Sequence, residues 1–192
     1  MDPEVEKKEE DEKKDKTYIK SRKRWTDFPL TKDIIEALED QNKYRPTKVQ
    51  EETLKITLDE DRKKFNLLIR AVNGSGKTLS FLLPMISALE PKQAIAEDKK
   101  ARGKVMENEI FRPQGVIIIQ NFLLQSQLNN YLINFRDYGE SNDVEKLKFK
   151  VGILNNDGHN PGDIIVCMPQ SFLNRHARGN MKLDNCKFVA ID

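Results

Sequence analysis

Cysteine is close to absent, with two in 192 residues. Cys167 and Cys186 have apolar neighbours and no third or fourth ligand beside them. A disulfide framework and a zinc site are therefore excluded, and both thiols read as buried small hydrophobes. Long apolar runs are missing too. Charged residues make up 33% of the chain, and no stretch approaches the ~20 residues needed to cross a bilayer, which excludes a membrane-spanning role. The opening Met1-Asp2-Pro3-Glu4 leads into a charged tract and has none of the apolar core of a secretory signal. An excess of charge of one sign is lacking as well: 33 Lys+Arg stand against 31 Asp+Glu, a formal net charge of +2. No overall field draws phosphates toward the chain, so any nucleic-acid contact has to come from local patches.

What is present fits one globular domain behind a charged tail. Residues 1–24 hold eight acids and nine bases, and only Val5, Tyr18 and Ile19 are apolar enough for a core. This composition predicts a disordered segment, acidic up to residue 16 and basic from Thr17 to Arg24. The domain is predicted to run over 25–192. Leu30, Ile34, Ile35 and Leu38 at helical spacing behind Thr31 predict a capped helix. Val49, Thr53, Leu54, Ile56 and Leu58 predict another after Pro46-Thr47. Phe65 to Ile69 reads as a buried strand, followed by a glycine-containing turn and a helix bearing Leu79, Leu82, Leu83, Met85, Ile86 and Leu89. Glu90 to Pro113, with Lys99, Lys100, Arg102 and Lys104, reads as a long surface connection. Beyond it, the runs Val116–Ile119, Phe149–Ile153, Ile164–Cys167 and Phe188–Ile191 predict strands buried on both faces. Helical patterns at Phe122–Phe135 and Pro169–His176 separate them. The alternation predicts an α/β fold with a mostly parallel sheet flanked by helices.

The chemistry concentrates in Ala71-Val72-Asn73-Gly74-Ser75-Gly76-Lys77-Thr78, which fits the phosphate-binding loop pattern with Ala71 in place of its first glycine. Gly74 and Gly76 permit backbone angles that turn consecutive amides inward around an anion. The following helix adds its positive dipole end and unpaired N–H groups. Lys77 can then reach the β- and γ-phosphates of a nucleotide, and the Thr78 hydroxyl can ligate Mg²⁺. A lysine at a helix N-terminus opposes the dipole and is otherwise hard to explain.

Upstream lies Tyr44-Arg45-Pro46-Thr47-Lys48-Val49-Gln50, with Trp25 twenty-five residues before Gln50. A Gln amide can bond the N6 donor and N7 acceptor of adenine together, and an indole can stack on a base. Taken alone, Gln50 reads more readily as a helix-surface residue and Trp25 as a core anchor.

With these residues together, the chain resembles the first RecA-like domain of a DEAD-box ATP-dependent RNA helicase, a P-loop NTPase. Trp25 followed by a helix, the Pro46-x-x-Val49-Gln50 element and the phosphate loop carry the resemblance. It implies that Trp25 stacks near adenine, that Gln50 reads it, and that Ala71 to Thr78 hold the phosphates of ATP with Mg²⁺. Val189-Ala190-Ile191-Asp192 resembles the strand leading into the Asp-Glu-Ala-Asp box, making Asp192 its first Asp and a Mg²⁺ partner through water. By the same resemblance the chain is expected to be a fragment, lacking the catalytic Glu, the Ser-Ala-Thr motif and a second RecA-like domain. Isolated, it is expected to bind nucleotide and hydrolyse it negligibly. The tail and the Arg45 to Glu51 tract look closest to the messenger-export branch, which implies export factors as partners and a cytoplasmic or nuclear location.

There are departures. The family's Gly-Phe is replaced by Asn42-Lys43, with the aromatic displaced to Tyr44. Gln120-Asn121-Phe122-Leu123-Leu124-Gln125 stands where the family has Pro-Thr-Arg-Glu-Leu-Ala. Met168-Pro169-Gln170-Ser171 replaces Thr-Pro-Gly-Arg, and the Gly-Gly element shrinks to the vicinity of Asn155 to Gly158. In the family these elements grip the RNA backbone, so weak RNA binding through this domain is expected. Lys148, Lys150, Arg175, His176 and Arg178 can compensate or can simply be solvated. His159 and His176 carry no chemistry. A diverged nucleotide-binding module with a docking role is the alternative. Some other P-loop NTPase would leave Gln50 and Trp25 unexplained.

Overall fold

The computed structural model describes residues 20–59, 61, 66–90, 110–154 and 162–192. The chain divides into two compact units, Met1–Ser87 and Ala88–Asp192, where the composition predicts one body.

Ordered structure in the first unit starts ahead of the predicted boundary at Trp25. Lys20 forms an antiparallel bridge with Thr47, and the Ser21 amide donates to the Pro46 carbonyl at 2.9 Å. The Ser21 hydroxyl donates to Glu51 at 2.7 Å, and Ser21 is 4% exposed. The reason lies in Glu51. A buried carboxylate must be matched by donors, and Lys55, Ser21 and Lys48 together hold its carboxyl at about 2. The segment 20–24 is therefore part of the fold, while residues 1–19 of the expected tail lie outside the described residues.

After a single 3-10 turn at Trp25–Asp27 comes α1, Lys32–Asp40, which buries Ile34, Ala37 and Leu38 as the apolar spacing predicts. Thr31 occupies the N-cap position, yet its hydroxyl has no partner. Helix α1 stops at Asn42, whose φ of +59° is the left-handed conformation. Glycine serves the same purpose at helix ends, so Asn in the family's Gly position preserves the turn. Helix α2, Lys48–Thr57, starts at a capping box: the Thr47 hydroxyl accepts from the Gln50 amide, and the Gln50 side chain accepts from the Thr47 amide. Helix α3, Lys77–Ala88, buries Leu79, Leu82, Leu83, Met85 and Ile86.

One predicted strand is not formed. Asn66–Arg70 carries no strand, and Leu68 is 93% exposed; Phe65 lies outside the described residues. An extended run becomes a strand only by exchanging backbone bonds with a neighbour. Among the described residues the sheet bonds are made by four other strands.

Those four form the sheet of the second unit: β1 Gly115–Ile118, β2 Val151–Leu154, β3 Ile164–Cys167 and β4 Phe188–Ile191. Their order is β2-β3-β1-β4, and every pair is parallel. Each β-branched run found in the sequence after Pro113 thus becomes a strand, and β3 is buried along its whole length, as an interior parallel strand should be. One sheet face, carrying Val116, Ile165, Cys167 and Leu154, packs on Phe111, Met181 and Phe172. Helix α4, Phe122–Ser141, lies against β2 and β3 and buries Leu128, Leu132 and Phe135. Helix α5, Pro169–Ala177, supplies Phe172. The α/β architecture with a parallel sheet and flanking helices is the one predicted.

Two glycines mark close approaches. A Cβ on Gly139 would lie 2.5 Å from the Leu147 Cβ, and one on Gly162 would lie 2.3 Å from the Gly152 nitrogen. The sheet's start is fixed by Asp163, whose carboxylate accepts from the Lys150 amide at 2.9 Å. Its carbonyl accepts from the amides of Gln114 and Gly115. Both cysteines are free thiols, and burial pushes Cys167 up to about 12. No helix among the described residues is long and apolar enough to cross a membrane. The connection from residue 91 to 109, the Asn155 to Gly158 element and His159 lie outside the described residues.

Candidate functional site

The loop from Ala71 to Gly76 turns directly onto α3. Gly74 and Gly76 take φ values of +79° and +92°, angles that side chains resist. Those two residues thereby set the loop's curvature, and the first-turn amides of α3, including Lys77 and Thr78, have no intrahelical acceptor. Ser75 is 4% exposed, and its hydroxyl is buried without a partner. A buried hydroxyl without a bond costs roughly 1–3 kcal/mol, so its persistence marks a place shaped for something else. The Lys77 ammonium folds back onto the loop, donating to the Ala71 carbonyl at 2.8 Å and the Val72 carbonyl at 3.0 Å. Thr78 is half-buried, and no bond from its hydroxyl is recorded among the described residues. Val72, Asn73 and Gly74 are exposed along the rim.

This donor set fits a phosphate chain with a hard cation. It comprises an orphaned Ser75 hydroxyl, the N-terminal amides of a helix of 12 residues, an ammonium within reach and a Thr78 hydroxyl suited to Mg²⁺.

Gln50 is placed differently from the expectation. It is 3% exposed. Its Oε1 accepts from the Thr47 amide at 2.8 Å, and its Nε2 donates to the Gly76 carbonyl at 3.0 Å. The amide ties the start of α2 to the phosphate loop and does not face an open base site. The sequence carries the signal for this, since Thr47-x-x-Gln50 is a capping-box spacing. Gly76 answers the contact from the other side: a Cβ there would meet Gln50 Nε2 at 2.5 Å and Thr47 Oγ1 at 3.0 Å.

Trp25 is corrected as well. The indole is 1% exposed and its N–H donates to the Lys43 carbonyl at 2.7 Å, so no ring face remains for a base. Between its two sequence readings, the core anchor is the one formed. The exposed aromatic nearby is Tyr44, 61% accessible, with its hydroxyl donating to Asn42 Oδ1 at 3.0 Å.

Asp192 stands in the second unit, at the C-terminal end of β4, with its amide donating to the Ile118 carbonyl at 2.9 Å. It is half-buried. The described residues contain no group of three or more His, Cys, Asp or Glu able to hold a metal by themselves.

At the positions where the resemblance implies RNA contact, α4 is capped by Asn121, whose side chain accepts from the Leu124 amide at 3.0 Å. Phe122 and Leu123 follow, 59% and 72% exposed. Of the cations that can compensate for missing arginines, Lys148 is engaged by Asp143 and Glu145. Arg175 is 9% exposed and lies over the Phe111 ring at 5.5 Å. His176 stacks on Phe172. These three serve the fold of the second unit.

A family model for DEAD/DEAH box helicases matches residues 47–192. Among curated proteins the chain is similar to the ATP-dependent RNA helicase DBP9 of Candida glabrata, 28% identical over 181 residues, which span 91% of this chain and 28% of that one. It is also similar to the DEAD-box ATP-dependent RNA helicase 38 of Oryza sativa, 34% identical over 82 residues, 42% of this chain and 16% of that one. The chain thus spans well under a third of the length of these relatives. Among solved structures it is similar to S. cerevisiae Dbp5 bound to RNA and ADP BeF3, with a TM-score of 0.65 and 19% identity over 88% of this chain and 38% of that chain. A DEAD box protein from Methanococcus jannaschii gives a TM-score of 0.59 at 20% identity over 91% and 42% of the two chains. At these identities the structural likeness establishes the fold, that of RecA-like helicase domains.

Proposed function

The chain belongs to the DEAD/DEAH box helicase family, and from that membership we propose that it is the ATP-binding part of an ATP-dependent RNA helicase. In this reading ATP binding and hydrolysis are coupled to remodelling of RNA or ribonucleoprotein. The observation that carries the reading is the loop at Ala71–Thr78. It combines two glycines in left-handed conformation, an unpartnered buried Ser75 hydroxyl and a lysine held on its own carbonyls.

The roles follow from the donor chemistry. The Ser75 hydroxyl and the first amides of α3 hold phosphate oxygens, and Lys77 leaves Ala71 and Val72 to neutralise the terminal phosphates. In the first unit Thr78 would offer Mg²⁺ a hydroxyl oxygen, the ion supplying counter-charge when bound; the water-mediated Mg²⁺ role of Asp192 rests on the family resemblance alone. Gln50 keeps Gly76 against Thr47, so the loop's curvature is set before ligand arrives. The family's second RecA-like domain and RNA are the partners this reading requires, with RNA held weakly by this chain because arginines are missing from Gln120–Gln125 and Met168–Ser171. Export factors remain a proposal resting on the Arg45 to Glu51 tract, as does a cytoplasmic or nuclear setting.

A fluorescent ADP analogue titrated with and without Mg²⁺ tests the reading. The chain should bind it and release it to excess ATP, and Lys77→Ala should abolish binding with an unchanged far-UV circular dichroism spectrum. Equal affinity in the wild type and the variant would refute the pocket.

A further inference from the structure

Within Lys20–Trp25 the burial is mixed, with Lys23 half-buried. Ser21 and Trp25 point inward, while Lys20, Arg22 and Arg24 are exposed. The segment is fixed rather than loose. Ser21 is bonded to Glu51, Trp25 to the Lys43 carbonyl, and Lys20 is bridged to Thr47. The isolated Lys20–Thr47 bridge and the Ser21 amide donating to the Pro46 carbonyl bring the segment alongside Pro46 and Thr47, next in sequence to Arg45, before the chain bends at Arg22 and Lys23. Arg45 is exposed and Tyr44 is 61% accessible.

No carboxylate among the described residues forms a recorded ion pair with Lys20, Arg22, Arg24 or Arg45. The acids beside them are turned away: Glu51 is buried under three donors, and Asp27 accepts from the Arg24 backbone amide at 2.9 Å. Three exposed cations thus stand on the anchored segment 20–24, and Arg45 and the accessible Tyr44 ring belong to the segment leading into its bridge partner, Thr47. A cationic track with an interposed ring is the chemistry that holds single-stranded nucleic acid, with charges on the phosphates and the ring under a base.

We propose that the segment Lys20–Arg24 with Tyr44 and Arg45 is an RNA-backbone-binding surface of the first unit, separate from the phosphate loop and from the positions in the second unit where the resemblance implies RNA contact. It is sequence-tolerant, because nothing on it reads base edges. It also gives the chain a way to hold RNA that does not need the arginines missing from the second unit. The ligand class rests on the helicase reading; the charge geometry does not.

The test is fluorescence anisotropy of a labelled uridine 20-mer with the chain Met1–Asp192 between 50 and 200 mM salt. Four phosphate contacts give a slope of log K on log salt of about −2.8 on single strands. Arg22→Glu/Arg45→Glu should flatten that slope by about 1.4 or more and weaken binding at least tenfold at 100 mM salt. A control of equal charge change, Lys146→Glu/Lys182→Glu, should shift binding less than twofold. Tyr44→Ala should cost about tenfold with the slope unchanged. Equal losses in both double variants, or binding of polyglutamate but not of RNA, would overturn the assignment. The ADP analogue is titrated in parallel. Retained nucleotide binding with no effect of Arg22→Glu/Arg45→Glu on RNA would sink this surface alone. Absent nucleotide binding would sink the helicase reading, whatever the RNA result.

Discussion

Replacing Gly76 by alanine should damage the loop far more than replacing Gly74, although both glycines have positive φ. At Gly74, with φ of +79° and nothing within 4 Å of the added Cβ, the cost is backbone strain alone, about 1 kcal/mol. At Gly76 the same order of strain applies at φ of +92°, and the new methyl would sit 2.5 Å from Gln50 Nε2 and 3.0 Å from Thr47 Oγ1. Relief requires Gln50 to let go of the Gly76 carbonyl, which adds about 0.5–1.5 kcal/mol for the bond and more for the amide left buried. The total should be about 2–4 kcal/mol. Trp25 is the sole tryptophan and is buried in the same unit, so its fluorescence during urea unfolding reports this unit directly. Introducing Gln50→Ala beside Gly76→Ala removes the obstructing amide, and the cost of the glycine change should fall toward that of Gly74→Ala. Equal destabilisation by the two single glycine variants, or no coupling between Gly76 and Gln50, would show that the Gln50–Gly76 contact does not shape the loop.

Gln50→Ala should lower affinity for ATP and GTP by the same factor in analogue displacement, because its amide holds Thr47 to Gly76; a loss confined to ATP would restore an adenine-reading role. Glu51 adds a pH dependence. Its carboxyl is held at about 2, first by Lys55, then by Ser21 and Lys48, against an ordinary value of 4.5. A depressed carboxyl stabilises the fold fully above about 4.5 and progressively less as pH falls toward about 2. Urea midpoints read from Trp25 should drop across that window, and Glu51→Gln should flatten the drop. In α4, Gly139→Ala should lower the melting temperature by circular dichroism. Alanine ordinarily gains about 1 kcal/mol over glycine within a helix, but here its Cβ would lie 2.5 Å from that of Leu147.

The parts of the fold legible in the sequence are those set by local pattern. The four β-branched runs after Pro113 need only be apolar on both faces to fall into a parallel sheet, and they do. The glycine spacing around Ser75 announces the loop, because left-handed angles at positions 74 and 76 require that residue type. Where the outcome depends on a distant partner, local pattern fails. Asn66–Arg70 has a strand's composition and no ladder. Trp25 reads as a core anchor by itself and as a base platform by the family resemblance, and the structure buries it with its N–H on the Lys43 carbonyl. The basic end of the expected tail is drawn into the fold by a serine reaching a glutamate thirty residues away. For Gln50, two local rules compete, adenine reading and the capping box, and the sequence does not rank them.

The posture of Lys77 bears on how any ligand arrives. Its ammonium is already bonded to the Ala71 and Val72 carbonyls, so pairing with an anion is an exchange of partners. Two hydrogen bonds must open before a stronger pairing forms, and measured affinity is the difference between the two. Removing the lysine by mutation would therefore take away an attraction and also the two bonds that tie the start of α3 to Ala71 and Val72.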